Sequence, residues 1–186
     1  MEVYENFSLL HHNTFAVEAM AARFVEYYSV KELKEALGDF GGRKGGVWQN
    51  LFVGQGSNLL FKRCFVGTVF HGNISDVEII ADEGDSVLVS AGAGVVWDDF
   101  VAWCVDNGLY GAENLSLIPG EVGAAAVQNI GAYGSEVSGI IESVEALDTC
   151  SLEEKKFPVQ DCGYSYRHSF FKDNPGKYAV HHVVFR

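Results

Sequence analysis

The alternation of apolar and polar positions divides this chain into short strands and a few helices. "SVKE" (Ser29 to Glu32) has the form of a capping box, the serine accepting from a first-turn amide while Glu32 reaches back. Val30, Leu33 and Leu37 follow at helical spacing, and Gly38 is the expected stop. "GDFGGRKGG" (38–46) is then a loop, "VWQNLFVGQG" (47–56) an apolar strand running into a glycine turn, and "GTVF" (67–70) another strand. From Val77 the pattern predicts a hairpin: "VEII", the turn "ADEGD", then "SVLVSAGAG" with Val87, Val89 and Ala91 on one face. "WDDFVAWCVDNG" predicts a helix with Trp97, Phe100, Val101 and Cys104 on one side and Gly108 at its end. Strand alternation returns in "IESVEALD" and "KYAVHHVVFR". The sum is an α+β chain with a mixed sheet, dividing into a small α/β unit (1–72) and a strand-rich unit (73–186).

Composition narrows the function classes. The 186 residues are 48% hydrophobic with only three prolines, so they can fill a packed core. A formal charge of −12 repels nucleic-acid backbones, so any phosphate ligand has to be held by a local device such as converging backbone amides. Cys64, Cys104, Cys150 and Cys162 form no C-x-x-C pair, which argues against a zinc finger or disulfide framework and for reduced thiols. His11, His12, His168, His181 and His182 include no H-x-x-x-H, and neighbouring histidines in a strand should point to opposite faces, so no metal site is expected. The start lacks the basic flank and apolar run of a signal peptide, and no apolar run reaches membrane-span length; a cytoplasmic location is the expectation.

The candidate chemistry lies in two nearly charge-free stretches, "NLFVGQGSNLLF" (50–61) and "IPGEVGAAAVQNIGAYG" (118–134). No G-x-G in the chain fits a dinucleotide fingerprint: Leu59 follows Gly54-Gln55-Gly56, and Trp97 follows Gly92-Ala93-Gly94, where a third glycine is required. No P-loop and no G-x-S-x-G elbow occurs. What remains is thin backbone with exposed amides, able to take a pyrophosphate at "GQGSN" and a flat ring along the longer stretch. FAD has both parts. On this reading Gly56→Val should block the ligand while sparing the fold.

"HNTF" (12–15), "VGQGSNLLF" (53–61), "ENLSLIPGEVGAAAVQNIGAYG" (113–134) and "GYSYRHSFF" (163–171) follow one another as in the UDP-N-acetylenolpyruvoylglucosamine reductases (MurB), which the chain resembles over nearly its whole length. The resemblance implies the two-subdomain FAD-binding fold of the vanillyl-alcohol oxidase and p-cresol methylhydroxylase type. By motif, Gly54, Gln55, Gly56, Ser57, Asn58 and Leu59 would bind the pyrophosphate. Ile118, Pro119, Gly120, Gly123, Ala124, Gln128, Asn129, Gly131, Ala132 and Val180 would line the remaining flavin site. Arg167 matches the family arginine that stabilises enolate charge, and Tyr133 and Tyr166 match substrate-contacting tyrosines. The implied reaction is NADPH-dependent reduction of the enolpyruvyl group of UDP-N-acetylglucosamine enolpyruvate. The family's serine proton donor, its terminal glutamate and the C-terminal substrate domain that carries them have no counterpart here. Glu121 after "IPG" departs from the small residues usual there, and as a carboxylate would disfavour a nearby anion. The alternatives are a non-catalytic FAD-binding module and another flavin oxidoreductase, such as an alcohol oxidase, on the same fold.

Overall fold

The computed structural model describes residues 1–44, 47–48 and 50–186; Gly45, Gly46 and Gln49 of the anticipated loop and strand lie outside the described residues. The first half contains β1 (Glu2–Ser8), β2 (Met20–Tyr27), α1 (Val30–Phe40), β3 (Arg43–Lys44), β4 (Val47–Trp48), β5 (Asn50–Phe52) and β6 (Phe65–Gly72). Then come β7 (Val77–Asp82), β8 (Val87–Gly92), α2 (Trp97–Asp106), α3 (Val122–Gln128), β9 (Gly131–Ala132) and β10 (Ser135–Glu136). The chain continues through β11 (Ile141–Asp148), β12 (Glu154–Pro158), α4 (Phe170–Asp173) and β13 (Tyr178–Phe185).

A mixed sheet runs β1-β2-β6-β5, with β1 antiparallel to β2 and the remaining neighbours parallel. The larger sheet, β12-β11-β13-β8-β7, is antiparallel throughout. One face of this sheet carries α2 and α3 over a core that includes Trp97, Phe100, Val101, Cys104, Ala125, Ala126 and Val183. From its other face Leu147 and Ala179 join α1 residues Leu33, Ala36 and Leu37 and the first-sheet residues Val25 and Phe70. The expected hairpin is present in β7–β8, and the buried residues of α2 are the four that helical spacing selects.

Ser29 caps α1, its Oγ accepting from the Glu32 amide at 3.2 Å. Glu32 reaches one residue further back than a capping box requires, accepting from Tyr28 N at 2.8 Å. The helix passes through Gly38, which is exposed, and Gly41 closes it by donating to Leu37 O at 2.9 Å. A glycine inside the last turn costs helix stability without stopping it when Leu33, Ala36 and Leu37 already anchor the buried face. A further element that composition hid is α3: "VGAAAVQ" is a short helix, and its small residues let it lie close on β8 and β13. All four cysteines are free thiols, and no described helix is long and apolar enough to cross a membrane.

Candidate functional site

The first glycine stretch leaves β5 at Val53, whose N–H donates to Phe70 O at 3.0 Å and whose carbonyl accepts from His71 Nδ1 at 3.0 Å. Gly56 then turns with φ +69°, and a Cβ there would lie 2.0 Å from His12 O. The floor beneath it is tied by buried Asn13, whose amide donates to Leu9 O at 2.7 Å and Val17 O at 3.1 Å and accepts from Val17 N at 2.9 Å. Gly56 is therefore required by backbone packing before any ligand arrives, and the expectation that Gly56→Val spares the fold is overturned. Asn13 is a residue whose role sequence reasoning missed, although the "HNTF" motif contained it.

The second stretch is laid along the start of α2. Trp97 Nε1 donates to Leu115 O at 2.7 Å, and Trp97 N donates to Gly120 O at 2.9 Å. Asp98 accepts from Leu117 N and Ser116 Oγ, each at 2.7 Å; these bonds hold its carboxyl below the usual carboxylate range. Val122 N and Gly123 N donate to Val95 O and Ala93 O, each at 2.9 Å. A Cβ on Gly123 would lie 2.7 Å from Ala93 Cβ. Gly123 is thus accounted for by close approach of α3 to the strand end, and Ala125 and Ala126 by burial in the core. Much of the smallness that suggested a ligand wall is helix packing.

The two stretches meet. Ser57 Oγ donates to Pro119 O at 3.2 Å, and a Cβ on Gly120 (φ +131°) would lie 3.4 Å from that hydroxyl. A Cβ on Gly54 would lie 2.7 Å from Glu121 Oε2. Gln55, Ala124 and Ile118 are partly accessible around this seam, and Asn58 and Pro119 are exposed. Leu59 instead packs against the small core formed by Leu9, Ala21, Phe24, Val53 and Val69. Glu121 is 6% exposed, and burial pushes its carboxyl up to about 8. It is a neutral acid at pH 7, so the expected repulsion of an anion at this point does not apply.

A second group forms where α3 ends. Asn129, fully buried with φ 46°, caps the helix in the left-handed conformation. Its amide donates to Glu136 Oε2 and Ser165 O, each at 2.9 Å, and accepts from Ser138 N at 3.2 Å. The β9–β10 hairpin turns at Tyr133 and Gly134, both at positive φ, as a two-residue turn requires. Arg167, at φ 55°, occupies the tight turn closed by mutual Ser165–His168 bonds. Its guanidinium donates to Asn129 O at 3.2 Å and to Gly131 O. This draws Arg167, Tyr166 and Tyr133 to one exposed corner, with the tyrosines 81% and 96% accessible. Gln128 Oε1 accepts from Lys172 Nζ at 3.0 Å, and Ala132 lies half-buried in β9. The side chain of Asn129 is fully engaged in holding this corner. Val180 stands in β13 opposite Ala146, half-buried against the α2–α3 core.

The larger described cavity, about 420 Å³, lies elsewhere, bordered by Val87, Phe100, Leu109, Ile140 and Phe185, and no residue of the glycine stretches borders it. The seam is the better candidate, because it is where the conformationally constrained glycines and accessible polar groups converge.

The histidine pair departs from expectation. Glu145 pairs with His182 and Ala146 with Val180, so His181 is the extra residue of a β-bulge. The bulge resets the alternation: Val180, Val183 and Phe185 all face the α2–α3 core, and His181 and His182 share the opposite face. Their Nδ1 atoms lie 2.9 Å apart, and burial, then His182, push the His181 imidazole down to about 4.

Comparison with known proteins adds the family and the fold. The profile of a family described as "FAD binding domain" matches residues 21–150. A UDP-N-acetylenolpyruvoylglucosamine reductase of Bacteroides fragilis (strain YCH46) is 51% identical over 98% of this chain and 54% of its own length. That of Porphyromonas gingivalis (strain ATCC 33277) is 40% identical over 100% of this chain and 54% of its own. The chain spans about half the length of the curated relatives it matches. Among solved structures, UDP-N-acetylenolpyruvylglucosamine reductase from Thermus caldophilus superposes with TM-score 0.77 at 23% identity, covering 100% of this chain and 61% of that one. A solvent-stable cholesterol oxidase superposes at 0.64 and 14% identity, covering 99% and 37%, which extends the likeness of fold beyond proteins of that name. The chain belongs to the FAD-binding domain family, with the two-subdomain flavin fold, and along nearly its whole length is similar to UDP-N-acetylenolpyruvoylglucosamine reductases.

Proposed function

We propose that this chain is the FAD-holding part of a cytoplasmic bacterial UDP-N-acetylenolpyruvoylglucosamine reductase, which uses NADPH in making a peptidoglycan precursor. The observation that carries the reading is the contact between its two glycine stretches, Ser57 Oγ to Pro119 O at 3.2 Å, which makes one seam of two separate motifs. The residues fit the cofactor: Gln55 and Ser57 are partly accessible and Asn58 is exposed, which leaves polar side chains along the loop, and neutral Glu121 removes the charge that would oppose a pyrophosphate. Pro119, Gly120 and Ala124 supply the facing wall.

When bound, FAD supplies the hydride chemistry that saturates the enolpyruvyl double bond. Arg167 holds the substrate carboxylate, on which negative charge builds during that reduction. Its guanidinium is already fixed by the Asn129 and Gly131 carbonyls and is exposed for a further bidentate contact. A preorganised cation of this kind stabilises developing charge more than the ground state. Tyr133 and Tyr166 flank it and orient the sugar nucleotide. Proton delivery to the substrate belongs to a further domain of the complete enzyme.

The test is FAD binding by the 186-residue chain. At FAD concentrations about 100 times Kd, stabilisation of about 2.7 kcal/mol should raise the melting temperature by roughly 5–10 °C. The chain alone should oxidise no NADPH in response to the sugar nucleotide, and extension through the downstream reading frame should restore turnover. Absence of any FAD-dependent shift or flavin absorbance after desalting would refute the reading.

A further inference from the structure

Outside the glycine seam, an arrangement of Glu145, His181 and His182 remains unaccounted for by the flavin reading. Each offers one ligand atom, and the three atoms lie within 4.8 Å of one another. The bulge in β13 places both imidazoles on one sheet face, facing the carboxylate of the neighbouring β11 strand. Regular strand geometry would have separated them. Bulges recur where a strand has to re-aim a side chain.

Two further observations point to a ligand. His181 is 3% exposed, and its Nε2 is buried with no hydrogen-bond partner. An imidazole with one nitrogen orphaned in the interior is costly unless something else satisfies it. His182, in turn, is oriented from behind: its Nε2 lies 3.1 Å from Asp76 Oδ2, which directs its Nδ1 toward His181. A carboxylate behind one imidazole nitrogen is the support that surrounds metal-ligating histidines, and the 2.9 Å contact between the two Nδ1 atoms is the one an ion between the rings would replace. Room is present, since a cavity of about 210 Å³ is bordered by Glu145, His181, Glu154, Lys155 and Lys156. The neighbouring charges are already paired. Glu154 meets Lys34 at 2.6 Å and Lys155 meets Asp148 at 3.2 Å. Lys156 meets Glu145 Oε1 at 3.1 Å in a partly exposed pair, a contact weak enough to yield to a divalent ion.

We propose that Glu145, His181 and His182 form a binding site for a divalent metal ion of the zinc type. Two neutral imidazoles and a carboxylate are the nitrogen and oxygen donors that zinc accepts, with a water completing four-coordination from the cavity. The ion bridges β11 to β13 at the bulge, on the face that packs toward α1.

Isothermal titration of chelator-treated chain with Zn²⁺, and with Co²⁺ followed by visible absorption, tests this. One equivalent should bind with a tetrahedral Co²⁺ spectrum, and Zn²⁺ should raise the melting temperature. Glu145→Gln should weaken Zn²⁺ at least tenfold. Asp76→Asn, which alters only the support of His182, should weaken it about 10–100-fold. His182→Ala should abolish the site; if that variant melts early, the two carboxylate variants decide. His11→Ala should change nothing. Lack of saturable binding, an octahedral Co²⁺ spectrum, or affinity unaltered by both Glu145→Gln and Asp76→Asn would overturn the proposal.

Discussion

Replacing Glu121 with glutamine turns the electrostatics of the seam into a measurement. In the folded chain burial lifts the Glu121 carboxyl from 4.5 to about 8, and among the described residues no cation or hydrogen-bond donor offsets that burial. Between those two values the folded state holds a proton that the unfolded chain has released. Stability contributed by this proton is fully present below pH 4.5 and is lost as pH rises toward 8. The loss is up to about 1.36 kcal/mol per pH unit, hence on the order of 3 kcal/mol by pH 7. Glutamine keeps the shape and a polar head but cannot ionise. The melting temperatures of parent and Glu121→Gln should nearly coincide at pH 5 and diverge steadily, the variant standing roughly 6–12 °C higher at pH 7. Thermal unfolding of both proteins at pH 5, 6, 7 and 8 supplies the comparison. If the difference stays constant across that range, Glu121 is not held neutral by the fold. FAD affinity should follow the same titration: the parent should lose affinity above pH 8, where the carboxylate forms beside the pyrophosphate loop, and the variant should not.

Gly56→Ala should lower the melting temperature as well as FAD affinity, because its Cβ would meet His12 O at 2.0 Å and φ is +69°. Left-handed backbone and overpacking together cost about 2–5 kcal/mol, and a variant that melts like the parent would refute the packing argument. Asn129→Ala should cost about 1–3 kcal/mol by removing its side-chain bonds to Glu136, Ser165 and Ser138, which tie the hairpin to the turn at 165–168. It should also loosen Arg167, visible as faster amide exchange at 165–168; unchanged exchange there would count against the link. Ser29→Ala should cost about 1 kcal/mol by removing the α1 cap, or about 2–4 °C in melting temperature, and an unchanged melt would show that Glu32 alone suffices.

The parts of this fold that could be read from sequence are those where one side of an element is buried. In α2 the period of Trp97, Phe100, Val101 and Cys104 is the buried face itself, and in β8 the alternating Val89 and Ala91 enter the same core, although Ser90 and Gly92 between and after them are buried too. β2 gave no such signal: Ala21, Phe24 and Val25 are all fully buried, so a strand covered on both faces loses its period. β1 failed for the opposite reason, its residues being nearly all exposed at a sheet edge. At the site, the motifs singled out two loops that the fold does bring into contact, at Ser57 and Pro119, since glycines and polar groups are recognisable without coordinates. What each glycine is for was not legible. Gly56 and Gly123 answer to backbones from residues 12–13 and 93, contacts between segments far apart in the chain. The histidine pair shows the same limit more sharply. Whether two adjacent side chains diverge or converge depends on one extra residue in the pairing of β13 with β11, and pairing is a property of two strands rather than of either sequence. Chemistry that depends on such a register error, as the Glu145–His181–His182 cluster does, becomes visible only once both strands are in place.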